Sequence, residues 1–147
     1  MSGRLIKTPP KLSALVCALF EDNGRYFFLE KTDERAKKAD ERARKQIELP
    51  CVLINEGEDP VSALSAHLRA SLSLDPQIHL ISLRGRYNAG SRKRRHLLPV
   101  LAFRCSAKRM QPKISAPYSS SRWLAAEDAL KEKLGRNAEW LKTAAKV

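Results

Sequence analysis

Residues 49–74, LPCVLINEGEDPVSALSAHLRASLSL, constrain the fold more than any other stretch of this chain. An apolar run of strand length, IELPCVLI, ends in Asn-Glu-Gly-Glu-Asp-Pro, which is turn chemistry. Asp59 suits a helix N-cap, and Pro60 suits the first helical position, where its missing N–H leaves no bond unmade. Val61, Leu64, Leu68 and Leu72 then recur at the spacing of one helical face. A buried strand that turns directly into an amphipathic helix predicts a mixed α/β domain.

The flanking segments agree. LSALVCALF, from Leu12, predicts a buried strand, and Asn23-Gly24 a tight hairpin returning through RYFFLEK. IHLISLRGRY and HLLPVLAFRC predict two strands joined around Asn88–Ser91, with SSSRWL a short strand after them. AAEDALKEKL and NAEWLKTAAKV read as terminal helical stretches separated by Gly135. Residues 1–11, with Pro9-Pro10, predict a loose arm ahead of a single domain over 12–147. Within that domain, residues 31–46 predict a charged helical insertion. Asp33, Glu34, Asp40 and Glu41 each precede a Lys or Arg by four positions, which supports an exposed helix by ~0.2–0.5 kcal/mol per pair. Only Ala36, Ala39 and Ala43 form its apolar stripe, too thin for a core face.

At 147 residues the chain is long enough to bury a core as one domain. It contains no membrane-length apolar run, and MSGRLIKTPPKL lacks the apolar centre of a signal peptide. Cys17, Cys51 and Cys105 are odd in number and form no CxxC pair, so reduced thiols in the cytoplasm or another reducing intracellular compartment are expected. Cys17 and Cys51 are read as small apolar packing residues. The 28 Lys and Arg residues exceed the 16 Asp and Glu by a net charge of +12, which favours a polyanionic partner.

Against this background, residues 49–74 resemble the box of the Nudix family. Leu49-Pro50 matches the Leu-Pro before the box, Gly57-Glu58 the Gly-Glu turn, and Leu68 and Leu74 the aliphatic positions. SSSRWLAAEDAL is similar to the Arg-Trp strand and acidic helix start near the end of many such domains. The resemblance implies a single-domain α/β/α sandwich with a mixed sheet. It also implies carboxylates that hold Mg2+ or Mn2+ on the helix, yet those positions are His67, Ala70 and Ser71. The motif arginine is Ala66, the leading glycine Val52 and the later glycine Ser73. No catalytic or metal-binding residue, and no cofactor, is therefore expected. The alternative is relocated chemistry with Glu58 and Glu56 as catalytic groups, Glu58 and Asp59 as metal ligands, and Mg2+ as cofactor. The plain reading of these residues is a cap for Asp59 and solvated turn positions for Glu56 and Glu58. His67 is the ordinary lone histidine of a helix surface, and Ser119–Ser121 lack the acid and elbow of a hydrolytic triad.

The other chemistry-bearing stretch is RGRYNAGSRKRRH, residues 84–96, with six cations and no acid. A turn at Asn88–Ser91 puts either Arg84, Arg86, Lys93 and Arg95, or Arg84, Arg86, Arg92 and Arg94, on one ribbon face. Such a ribbon tracks phosphates, and Tyr87 can stack on a base. An ordinary exposed, Arg-rich hairpin tip is the plainer account. The leading expectation is an inactive Nudix-fold module binding RNA or a nucleoprotein assembly, with no membrane partner. The alternatives are a divergent Mg2+-dependent pyrophosphohydrolase acting on a nucleotide, and a ligand-sensing or scaffold domain that docks a partner through 31–46.

Overall fold

The structure, a computed structural model, describes residues 13–32 and 45–147. Strands β1 (Ser13–Asp22) and β2 (Arg25–Thr32) form a hairpin whose turn residues, Asn23 (φ 53°) and Gly24 (φ 78°), both take the left-handed backbone. That conformation matches the twist of the two strands, and Asn-Gly is the sequence that adopts it most readily. Further along come β3 (Lys45–Glu48), β4 (Cys51–Asn55), helix α1 (Pro60–Leu72), β5 (Pro76–Asn88), β6 (Leu97–Ala107) and β7 (Tyr118–Ala125). The described chain ends in a short helix, α2 (Ala126–Ala129), a 3-10 turn (Glu139–Thr143) and β8 (Ala145–Lys146).

The eight described strands form one mixed sheet. β1 lies parallel to β6 and antiparallel to β4, and the other pairings are antiparallel. Both faces of β1 are covered, which explains its unbroken apolar sequence. Leu15, Cys17 and Leu19 join one core with Leu134, Ala138 and Trp140 of the C-terminal segment. Val16, Ala18 and Phe20 join the other with Leu64, Leu68 and Leu72 of α1.

Several expectations need correction. IELPCVLI is two strands rather than one, because β3 pairs with β2 while β4 pairs with β1, and Leu49-Pro50 crosses between them. The charged stretch is strand at both ends, since Lys31 and Thr32 pair with Gln46 and Lys45. Its remainder, 33–44, lies outside the described residues, as does the arm at 1–11. Val61 is 41% exposed and falls off the buried face of α1. The C-terminal helices are replaced by α2, turns and β8. The backbone at 133–135 instead serves β3: Ile47 N–H donates to the Lys133 carbonyl at 3.0 Å, and Gly135 N–H to the Ile47 carbonyl at 2.9 Å. Burying Leu134 beside Ile47 outweighs a weak local helix preference.

Candidate functional site

A cavity of about 180 Å3 lies between the start of β4 and helix α1. Leu29 of β2 and Cys51 of β4 line it, with His67, Ser71 and Leu72 of α1, residues 115–118 and Asn137. Helix α1 is set by its cap: the Asp59 carboxylate accepts from Ser62 N–H at 2.8 Å, which holds its pKa below the ordinary carboxylate value. Burying Leu64, Leu68 and Leu72 fixes the helix rotation, so His67 and Ser71 face the cavity while Ala66 and Ala70 are exposed. The Ser71 hydroxyl donates back to the His67 carbonyl at 2.6 Å. Burial pushes the His67 imidazole below its usual pKa, which favours the neutral ring.

Behind this cavity lies a carboxylate that sequence reasoning missed. Glu48 is 0% exposed, with Lys31 Nζ at 3.0 Å from Oε1. The Tyr118 hydroxyl donates to Oε1 at 2.8 Å, and Asn137 N–H donates to Oε2 at 2.9 Å. Burial first, then the adjacent Glu48 charge, drives the Tyr118 phenol far above its usual pKa. Glu30, also buried, is held by Ser120 at 2.9 Å, Arg122 at 3.4 Å and Lys45 at 3.8 Å. Both carboxylates are enclosed by donors. The only sequence signal for either was an acid placed inside an otherwise apolar strand.

The turn carboxylates are arranged differently. Glu58 Oε1 accepts from Asn55 N–H at 2.9 Å, closing the turn, and Asp59 is the cap. Glu56 is exposed. The cavity wall therefore presents imidazole, hydroxyl and thiol groups and no carboxylate. Among the described residues, no three His, Cys, Asp or Glu side chains come together in a way that could hold a metal ion.

A second, larger concavity of about 1260 Å3 lies between the tip of the β5–β6 hairpin and the C-terminal segment. Arg86, Tyr87, Arg92 and Arg95 line one side; Glu132, Lys133, Arg136, Glu139 and Lys142 lie on the other. Neither register expected for the hairpin forms. β5 and β6 pair out to Asn88 and Leu97. In the loop between them Ala89 N–H donates to the His96 carbonyl at 2.8 Å and Ser91 N–H to the Arg94 carbonyl at 3.0 Å, which moves the turn from Asn88–Ser91 to Arg92-Lys93. Asn88 Oδ1 accepts from both Gly90 and His96 N–H at 3.0 Å, and Arg94 N–H donates to the Ser91 hydroxyl at 2.9 Å. Arg92, Lys93, Arg94 and Arg95 thus sit on that loop, and Arg84 and Arg86 on β5. Arg84, Lys93 and Arg94 are not on the groove's walls. Arg136 donates to the Gly90 carbonyl at 2.7 Å and ties the two sides together.

No protein-family model matches the sequence, and no curated protein matches it. Solved structures do share its architecture. A MutT protein from Methanosarcina mazei superposes with a TM-score of 0.64 at 15% identity, covering 92% of this chain and 94% of that one. A MutT NUDIX hydrolase from Burkholderia pseudomallei gives 0.59 at 17% identity, with 88% and 95% covered. The NUDIX domain of Shewanella oneidensis NrtR, solved with ADP-ribose, gives 0.59 at 14% identity, with 93% and 86% covered. The fold is thus a mixed α/β Nudix-like domain, as the residues at 49–74 implied. Among the described residues, no helix is long and apolar enough to cross a membrane.

Proposed function

We propose that this chain is a non-hydrolytic Nudix-fold module that binds single-stranded RNA, alone or within a nucleoprotein assembly. The groove between hairpin tip and C-terminal segment carries the proposal. Arg86, Arg92 and Arg95 lie on its wall, and among the described residues no ion pair occupies any of them. Unpaired cations gathered in a concavity attract phosphates and gain by releasing their counterions. Tyr87 on the same wall offers a stacking surface. The box cavity, whose wall includes Asn137 next to Arg136 of the groove, does not suit a hard divalent cation. Such ions want oxygen ligands, and Glu48, the nearest buried carboxylate, already satisfies three donors. The test is binding of single-stranded RNA at two salt concentrations, with strong salt dependence expected.

Similarity to Nudix hydrolases and Glu58 at the motif's first glutamate favour a second reading, metal-dependent cleavage of a nucleoside diphosphate derivative. Phosphate release is to be screened over nucleoside di- and triphosphates with Mg2+ or Mn2+. Background rates are expected. Turnover that disappears in Glu58→Gln establishes the second reading and overturns the non-hydrolytic one.

A further inference from the structure

Cys17 and Cys51 stand directly opposite each other in the antiparallel pairing of β1 with β4. The hydrogen bonding beside them identifies the kind of pair. Ala18 N–H donates to the Pro50 carbonyl at 2.9 Å, so residues 18 and 50 occupy a hydrogen-bonded position. The 17–51 position next to it is then the non-hydrogen-bonded kind, where Cα atoms lie only about 4.5 Å apart and side chains approach most closely. A disulfide spans Cα separations of about 4.4–6.8 Å, so this position is within range without moving the backbone far. Both side chains lie on one face of the sheet, since Cys17 belongs to the core against which Cys51 packs. After burial itself, the neighbouring Cys51 thiol is the next cause raising the Cys17 pKa, which fits adjacent sulfurs. Cys105 belongs to the opposite core.

The two thiols differ in access. Cys17 is 0% exposed, whereas Cys51 is half-buried on the wall of the box cavity. We propose that Cys17 and Cys51 are a redox modification site: a hydroperoxide entering the cavity oxidises Cys51, and Cys17 then closes a cross-strand disulfide. In the first step the Cys51 sulfur takes the terminal peroxide oxygen, the O–O bond breaks, and an alcohol or water leaves with the thiol proton. In the second, the Cys17 sulfur attacks the sulfenic sulfur, and water leaves with the Cys17 proton. Two electrons pass from the sulfurs to one peroxide. Closure is slow, because a deeply buried thiol yields little thiolate. This site is independent of RNA binding.

The test uses the full chain, treated with hydrogen peroxide, alkylated and peptide-mapped. The expected product is a peptide linking residues 17 and 51, lighter by two hydrogens than the unlinked pair and released by dithiothreitol. Cys17→Ala should instead leave a Cys51 sulfenic acid that dimedone captures, and should abolish the link. Should that variant fail to fold by circular dichroism, the wild-type map alone decides. Finding both thiols still alkylatable, Cys51 only over-oxidised, or links confined to Cys105 overturns the proposal.

Discussion

Glu48 shows how a single residue can govern this site without being legible in the sequence. In IELP it is an acid in an apolar strand, and nothing nearby announces its partners. Tyr118 and Asn137 lie 70 and 89 positions away. Withdrawing a carboxylate from water costs several kcal/mol, and here three donors offset that cost. Glu48→Ala leaves Lys31, only 26% exposed, and the Tyr118 hydroxyl without their acceptor. It should lower stability by about 3–5 kcal/mol, read as a shifted urea midpoint. Glu48→Gln keeps an acceptor and should cost less, about 1–3 kcal/mol. The same contact implies a pH dependence. Tyr118 has its pKa raised on folding, so its contribution is fully present below the unfolded value, about 10, and is lost as pH rises beyond it. Thermal melts across alkaline pH should fall less steeply in Tyr118→Phe than in the wild type. Gly135 belongs to this cluster, because a Cβ there would lie 2.5 Å from Glu48 Cγ.

Elements were legible where local chemistry and tertiary packing agree. Helix α1 begins at its expected cap and buries Leu64, Leu68 and Leu72 as the periodicity requires. Asp59→Ala should therefore lower the urea midpoint of unfolding, as loss of an N-cap does. The C-terminal helices were misjudged because their backbone bonds go to β3, a partner that no periodicity reveals. The hairpin tip departs from expectation for a related reason: Asn88 bonds to backbone at Gly90 and His96, and the paired backbone continues to Ser91 and Arg94, so the turn falls at Arg92-Lys93. The register of β2 with β3 sharpens the expectation for the charged stretch. Thr32 pairs with Lys45, so a four-residue Gly/Ser turn in place of 33–44 spans the gap. Shortening the connection threefold lowers its closure cost by about 1 kcal/mol. The melting temperature should hold or rise slightly, and loss of the folded state would show that the segment packs.

At the scale of the whole molecule, the +12 charge and the groove make one argument. Composition pointed to a polyanion without saying where it binds. The fold brings Arg86, Arg92 and Arg95 opposite Arg136 and Lys142, nearly fifty residues later in the chain, and the proposed RNA contact is this groove. Glu132 is spent on Arg122 at 2.8 Å, which leaves the walls predominantly positive. If each of the three hairpin arginines contacts a phosphate, each adds about 0.7 to the log–log salt slope on a single strand. Changing Arg86, Arg92 and Arg95 together to Ser should weaken RNA binding and flatten that slope by up to roughly 2 units. Changing Arg84, Lys93 and Arg94 removes the same charge away from the groove walls, so a smaller effect is expected of it. Fluorescence anisotropy of a labelled RNA at several salt concentrations distinguishes the two triples. Stability should barely change in either, because mutually repelling exposed cations do not support folding. Equal losses from both triples would mean that net charge, rather than the groove, holds the RNA.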